Sequence, residues 1–127
     1  MEKEEKAKWL AKTLRGMEGR VLVVEGKRDL WALREIGVST EVVLANGKTD
    51  AIVEEAIRIS HEAKKPVALL FDFDAEGKRK TAFFKEAFYA HDANADIGLG
   101  MEVGRLFRVR TIEELPVSLA GILEETA

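Results

Sequence analysis

Apolar residues follow two rhythms along this chain: short unbroken runs, and longer stretches in which they recur every three or four positions. Residues 3–17 show the second rhythm. Trp9, Leu10, Thr13, Leu14 and Met17 fall on one side of a helix with charges between them, which predicts an amphipathic packing helix. Gly16 and Gly19 are placed to stop it. Arg20 to Glu25 is the first strand, because Val21-Leu22-Val23-Val24 is apolar on both faces and rich in β-branched residues, as a buried parallel strand requires. Leu30, Leu33 and Ile36 mark a short helix closed by Gly37. Glu41 to Ala45 is a second strand. After the Asn46-Gly47 turn, a helix with Ile52, Ala56, Ile59 and Ala63 as its buried stripe starts on Thr49 or Asp50 as N-cap.

Val67 to Phe71 is a third strand, and the helix after it runs from about Glu76 to His91, with Phe83, Phe84, Ala87 and Phe88 as its apolar face. Residues 92–104 carry four acids or amides and three glycines and read as a loop. Leu106 to Val109 is the expected fourth strand. Thr111 and Glu114 have capping-box spacing ahead of a final helix, and Pro116 makes its first turn short or irregular.

Strands alternating with helices predict an α/β fold, a mostly parallel four-stranded sheet covered on both faces. In such sheets function gathers beyond the carboxyl ends of the strands. Three strand ends carry residues that stability alone does not favour: Glu25-Gly26, Asn46-Gly47, and Asp72 through Gly77. Their convergence on one edge is a stronger signal than any one of them.

Length and composition change this picture little. At 127 residues the chain has the length of one domain. It shows no apolar run of membrane-spanning length and no signal-peptide pattern, so a cytoplasmic setting is the expectation. With no cysteine, disulfides and thiolate metal sites are excluded. Few amides among many Lys, Glu and Arg is the composition of heat-adapted proteins. The formal charge of −3 does not announce nucleic-acid binding, so the position of the bases matters more than their number.

The candidate chemistry lies in Leu69-Leu70-Phe71-Asp72-Phe73-Asp74-Ala75-Glu76-Gly77-Lys78-Arg79. On a continuing strand Asp72 and Asp74 would share a face, and both carboxylates could reach one hard cation such as Mg²⁺ or Mn²⁺. Gly77 would let a phosphate approach the backbone. Lys78, Arg79 and Lys80, with Lys27 and Arg28 beyond the first strand, would attract a polyanion despite the net negative charge. Asp29 has an ordinary explanation as an acid in a helix's first turn; Glu25 has none. Trp9 is read as a packing residue and His61 is given no role.

Val24-Glu25-Gly26-Lys27-Arg28-Asp29 on the first strand, followed by Asp72-Phe73-Asp74-Ala75-Glu76-Gly77 on the third, resembles the Toprim domain. That domain is shared by topoisomerases of types IA and II, bacterial primases, OLD-type nucleases and a ribosomal-RNA maturation nuclease. The chain looks most like the small stand-alone members of bacteria and archaea. The resemblance implies an N-terminal helix over 1–18 and a Toprim domain over 19–127. It implies that Glu25 serves as general acid or base, or in some members as a metal ligand, and that Asp72 and Asp74 hold Mg²⁺. Gly26 and Gly77 match the glycines that follow each motif, and Lys27 and Asp29 fit the common first motif. Where many members have proline between the aspartates, this chain has Phe73, a departure that is common among the small members and so points toward them.

The implied activity is Mg²⁺-dependent phosphodiester cleavage or phosphoryl transfer on DNA or RNA. The alternative is a non-catalytic, metal-dependent module that binds nucleic acid or nucleotide within a larger protein complex. A complete topoisomerase or replicative primase does not fit: the only tyrosine is Tyr89, placed deep in a helix, and template-gripping regions are missing. A haloacid-dehalogenase-type phosphatase also carries two aspartates spaced one apart, but Glu76 stands where that motif wants threonine or valine. A receiver domain would need paired acids after the first strand, where only Glu25 stands.

Overall fold

The computed structural model describes residues 1–127. In chain order the elements are α1 (Lys3–Glu18), β1 (Val21–Val24), α2 (Lys27–Glu35), β2 (Val42–Leu44), α3 (Thr49–Ala63), β3 (Val67–Leu69), α4 (Ala75–Ala90), β4 (Ala95–Asp96), α5 (Gly98–Phe107), a 3₁₀ turn (Ile112–Glu114) and α6 (Leu115–Thr126). The sheet is parallel throughout, in the order β2-β1-β3-β4. The chain is thus an α/β protein with a Rossmann-like sheet.

Alternation along the two central strands builds two cores. Leu22 and Val24 of β1, with Ala68 of β3 and Leu70 beyond it, face a layer containing α1, α2, α5 and α6. Val21, Val23, Val67, Leu69 and Phe71 face α3 and α4 on the other side. All four β1 residues are completely buried, each contributing about 1.5–3 kcal/mol through burial of its side chain. A strand buried on both faces has no polar side, which is why the run reads as unbroken valine and leucine. The ladder outlasts the formal strands: Leu70 N–H donates to Val23 O at 2.9 Å and Ala45 N–H to Val24 O at 2.7 Å.

Four sequence-based expectations are corrected. Residues 92–104 are not a loop: they supply β4 and most of α5. Leu106 to Val109 is not the fourth strand, since Leu106 and Phe107 close α5 and Arg108 turns left-handed at φ 52° as its C-cap. The short β4 was concealed because two residues cannot show a period, and the glycines that suggested a loop lie within α5. Gly100 and Gly104 there permit close packing, for a Cβ would lie 3.2 Å from Leu69 O at the first and 3.0 Å from Phe73 Cδ1 at the second. The N-cap of α3 is Lys48, not Thr49 or Asp50, and no side chain caps that end. Of the aromatic stripe on α4, Phe84 and Phe88 are buried whereas Phe83 is exposed.

The order 2-1-3-4 sends the chain from β1 to one side and brings it back to the other. The crevice between the carboxyl ends of β1 and β3 is therefore the switch point where doubly wound sheets receive ligands. Glu25 follows β1 directly, and Asp72 lies just beyond β3.

Candidate metal and nucleic-acid site

The second motif does not sit on one strand. The chain leaves the sheet after Leu70, and Phe73 N–H donates to Arg110 O at 2.8 Å. Asp74 is already the N-cap of α4, its Oδ1 accepting from Gly77 N–H at 2.8 Å. The two aspartates therefore do not owe their positions to strand alternation. Asp72 is held separately, its Oδ1 accepting from Ile112 N–H at 3.0 Å. The segment from Arg110 to Ile112 thus clasps Asp72-Phe73 from the side.

The first motif is built around a helix start. Gly26 is the N-cap of α2, and its N–H donates to Asp29 Oδ2 at 3.1 Å, so the third residue of the helix reaches back to its start. Asp29 is 8% exposed, one of few buried polar residues. Glu25 is exposed and forms a 2.9 Å ion pair with Lys80 of α4.

A cleft of about 500 Å³ joins these parts, lined by Glu25, Gly26, Lys27, Arg28, Asp29, Trp31, Asp72 and Glu113. Its acids act on one another. Burial pushes the Asp72 carboxyl above its usual range, the Ile112 N–H opposes this, and repulsion from Asp74, Glu25 and Glu113 adds to it. Asp29 is likewise raised, first by burial, against the Gly26 N–H, with Asp72, Glu113 and Glu25 contributing repulsion. Glu113 and Trp31 carry no functional signal in the sequence pattern. Glu113 reaches the cleft only because the 3₁₀ turn packs on α2, a long-range contact that no local pattern encodes.

The basic run Lys78-Arg79-Lys80 is divided by the turn of α4. Lys78 borders an apolar pocket of about 410 Å³ on the other side of Asp72, with Phe73, Met101 and Arg105. Arg79 and Lys80 border a groove of about 430 Å³ with Gly47 and Phe83. Asn46 lies on the exposed turn before Gly47, whose φ of 110° needs glycine. The end of β2 therefore meets Arg79 and Lys80 rather than the acids. Lys27, Arg28, Lys78 and Arg79 form no ion pair within the chain; Lys80 is engaged by Glu25.

Gly77 is required for a reason other than phosphate approach. A Cβ there would lie 1.8 Å from Asp72 O and 2.5 Å from Asp72 C. Its missing side chain lets the first turn of α4 close over the Asp72 backbone.

No three acidic or histidine side chains are drawn together as a ready-made metal cage. The residues nonetheless suit an open site. Oδ2 of Asp72, Oδ2 of Asp74 and Oε2 of Glu25 accept no hydrogen bond from the protein. The repulsion that raises Asp72 is what a cation would relieve. Mg²⁺ commonly takes one or two carboxylates and fills its remaining positions with water and substrate phosphate.

The family model of the Toprim domain matches residues 19–97, the span that contains both motifs. This chain belongs to the Toprim family. Among relatives, it is 28% identical to a UPF0292 protein of Thermoplasma volcanium over 82% of this chain and 86% of that one. It is 29% identical to a UPF0292 protein of Thermococcus kodakarensis over 80% and 74%. A solved structure of a protein from Aquifex aeolicus superposes with a TM-score of 0.66 at 28% identity, covering 85% of this chain and 95% of that one. The Toprim assignment carries a metal-dependent, nucleic-acid-related function in general terms, and the relatives' names add no specific activity. No helix is long and apolar enough to cross a membrane.

Proposed function

We propose that this Toprim protein is a Mg²⁺-dependent nucleic-acid processing factor that cleaves or transfers a phosphodiester at the β1–β3 switch point. The observation that carries this reading is the meeting of Glu25, Asp29, Asp72 and Glu113 around one cleft, with unpaired Lys27 and Arg28 on its rim. Clustered acids destabilise a fold unless something compensates them, and a divalent cation with a bound phosphate does so.

Asp72 and Asp74 would hold the ion through their free carboxylate oxygens, with Glu25 available as a third ligand. The bound ion would neutralise charge on the phosphate and activate an oxygen nucleophile. The residues themselves do the rest. Ile112 N–H orients the Asp72 carboxylate, and Gly77 N–H orients that of Asp74. Lys27 and Arg28 attract the strand. Glu25 would move a proton at an attacking or leaving oxygen, and its partner Lys80 would set when it is free to do so. A cytoplasmic setting, where nucleic acid and Mg²⁺ are both present, suits this role and a chain without cysteine.

The separation of the acids favours one further reading. Because they form no closed cage, the protein would bind nucleic acid or nucleotide with metal as part of a larger complex, without turnover. Incubation of labelled DNA and RNA with Mg²⁺ or Mn²⁺ distinguishes the two. Product formed by the parent and lost in both Asp72→Asn and Glu25→Gln supports catalysis. Metal-dependent binding with no product supports the module.

A further inference from the structure

Trp31 is 63% exposed, although a large aromatic ring on a short helix is ordinarily turned inward. Ala32, Leu33 and Ile36 take the inward face of α2 and its end, so the fold does not use the indole. The ring instead lines the cleft that also contains Glu25, Asp72 and Glu113. Lys27 and Arg28 stand four and three positions before it, on the same side of the helix. Neither is ion-paired within the chain. The second tryptophan, Trp9, packs against the core and has no such freedom.

We propose that Trp31 is a stacking platform for an unpaired nucleobase, and that the cleft therefore takes single-stranded nucleic acid or the frayed end of a duplex. This rests on the nucleic-acid reading above and narrows it. An aromatic face flanked by cations is the usual way to hold a single strand, because every base has a π-face and every nucleotide a phosphate. The bases inside a duplex are covered by their neighbours and have no face to offer a side-on indole. The acids beside Trp31 argue against a plain anionic partner: the phosphate next to the stacked base would enter with a cation. A protein segment would have to satisfy acids and bases side by side, which a metal-bearing nucleotide does directly.

Fluorescence tests this, because Trp9→Phe leaves Trp31 as the only tryptophan. The single-tryptophan protein is titrated with short oligothymidylate, oligouridylate, a blunt duplex and a nucleoside monophosphate, with Ca²⁺ in place of Mg²⁺ to suppress turnover. Binding is followed separately by anisotropy of labelled oligonucleotide. Quenching by the single strands and not by the duplex is expected. Trp31→Ala should weaken single-strand binding about tenfold, the order expected for one base–aromatic stack, and Trp31→Phe should restore most of it. Equal quenching by the monophosphate would make the ligand a nucleotide and overturn the strand assignment. Strand binding that ignores Trp31→Ala, without quenching, would overturn the proposal and leave the nucleic-acid function standing. Absence of binding to every probe would overturn both. Self-association lost in Trp31→Ala, with no quenching by any probe, would overturn the proposal by assigning the ring to a second copy of the chain.

Discussion

Gly77 and Asp72 are in backbone contact: a Cβ on Gly77 would stand 1.8 Å from the Asp72 carbonyl oxygen and 2.9 Å from its Cα. Neither side can yield cheaply, since one is the first turn of α4 and the other is held by the Arg110–Ile112 segment. Gly77→Ala should therefore destabilise the protein by about 3 kcal/mol or more, at the upper end of overpacking effects. Gly26 offers the control, because a Cβ added there would meet nothing within 4 Å. Gly26→Ala should cost about 1 kcal/mol or less, through its weaker capping. Urea unfolding of the two variants measures the difference; similar midpoints would show that the chain relaxes around Gly77.

Asp72 should limit stability when no metal is bound. Its folded carboxyl is raised, first by burial and then by its acidic neighbours, so the folded state holds a proton more tightly than the unfolded chain does. Stability from this group therefore falls as pH rises through the window between the ordinary and the raised value, and the penalty is complete at neutral pH. Asp72→Asn keeps an acceptor for Ile112 N–H and removes the charge. In chelator-treated protein at neutral pH it should raise Tm above the parent's. The advantage should shrink as pH falls through that window and vanish below the ordinary aspartate range.

Added Mg²⁺ should reverse that ranking. Binding to the folded state alone adds about 2.7 kcal/mol when metal exceeds its Kd by ~100-fold. The parent's Tm should rise with Mg²⁺ or Mn²⁺, while Asp72→Asn and Asp74→Asn should respond weakly. A parent that ignores both ions would mean that the aspartates bind metal only together with substrate.

The Glu25–Lys80 pair should matter to chemistry more than to folding. The Glu25 side chain is 53% exposed, and exposed pairs contribute about 0–1 kcal/mol. Glu25→Gln should leave urea stability nearly unchanged yet lower any cleavage rate by ~100-fold or more, the scale of lost acid–base catalysis. Metal-dependent Tm shifts should persist in it. If they vanish as they do in Asp72→Asn, Glu25 is a ligand.

Phe73 stands where many Toprim members have proline, and its surroundings explain the difference. Its N–H donates to Arg110 O, which proline cannot do, and its ring packs on Gly104. Phe73→Pro should lose about 1–3 kcal/mol from the orphaned carbonyl alone, with more from lost packing. Phe73→Leu keeps the N–H and should be milder. Comparing their denaturation midpoints separates the two contributions.

Much of this architecture was legible because the central strands declare themselves. Val21–Val24 and Val67–Leu69 are buried on both faces, and that burial demands the unbroken apolar runs that mark them. The capping pair Thr111 and Glu114 was readable for the same local reason, as was the motif order Glu25 then Asp72-Phe73-Asp74. The edge of the sheet was not legible. β4 has two residues, too few for a period, and the glycines of α5 look like loop residues until Leu69 and Phe73 are seen against them.

The site divides along the same line. Sequence by itself determined which acids follow which strands, because strand ends and helix starts are set by neighbours a few positions away. Only the tertiary structure decided that Asp72 and Asp74 are held by different backbone donors. It alone decided that Gly77 serves the Asp72 backbone, that Lys80 turns to Glu25, and that Glu113 and Trp31 enter the cleft. Most of those relationships join residues far apart in the chain, such as Glu25 with Glu113, and side-chain spacing along a chain carries no information about contacts made by folding elements onto one another.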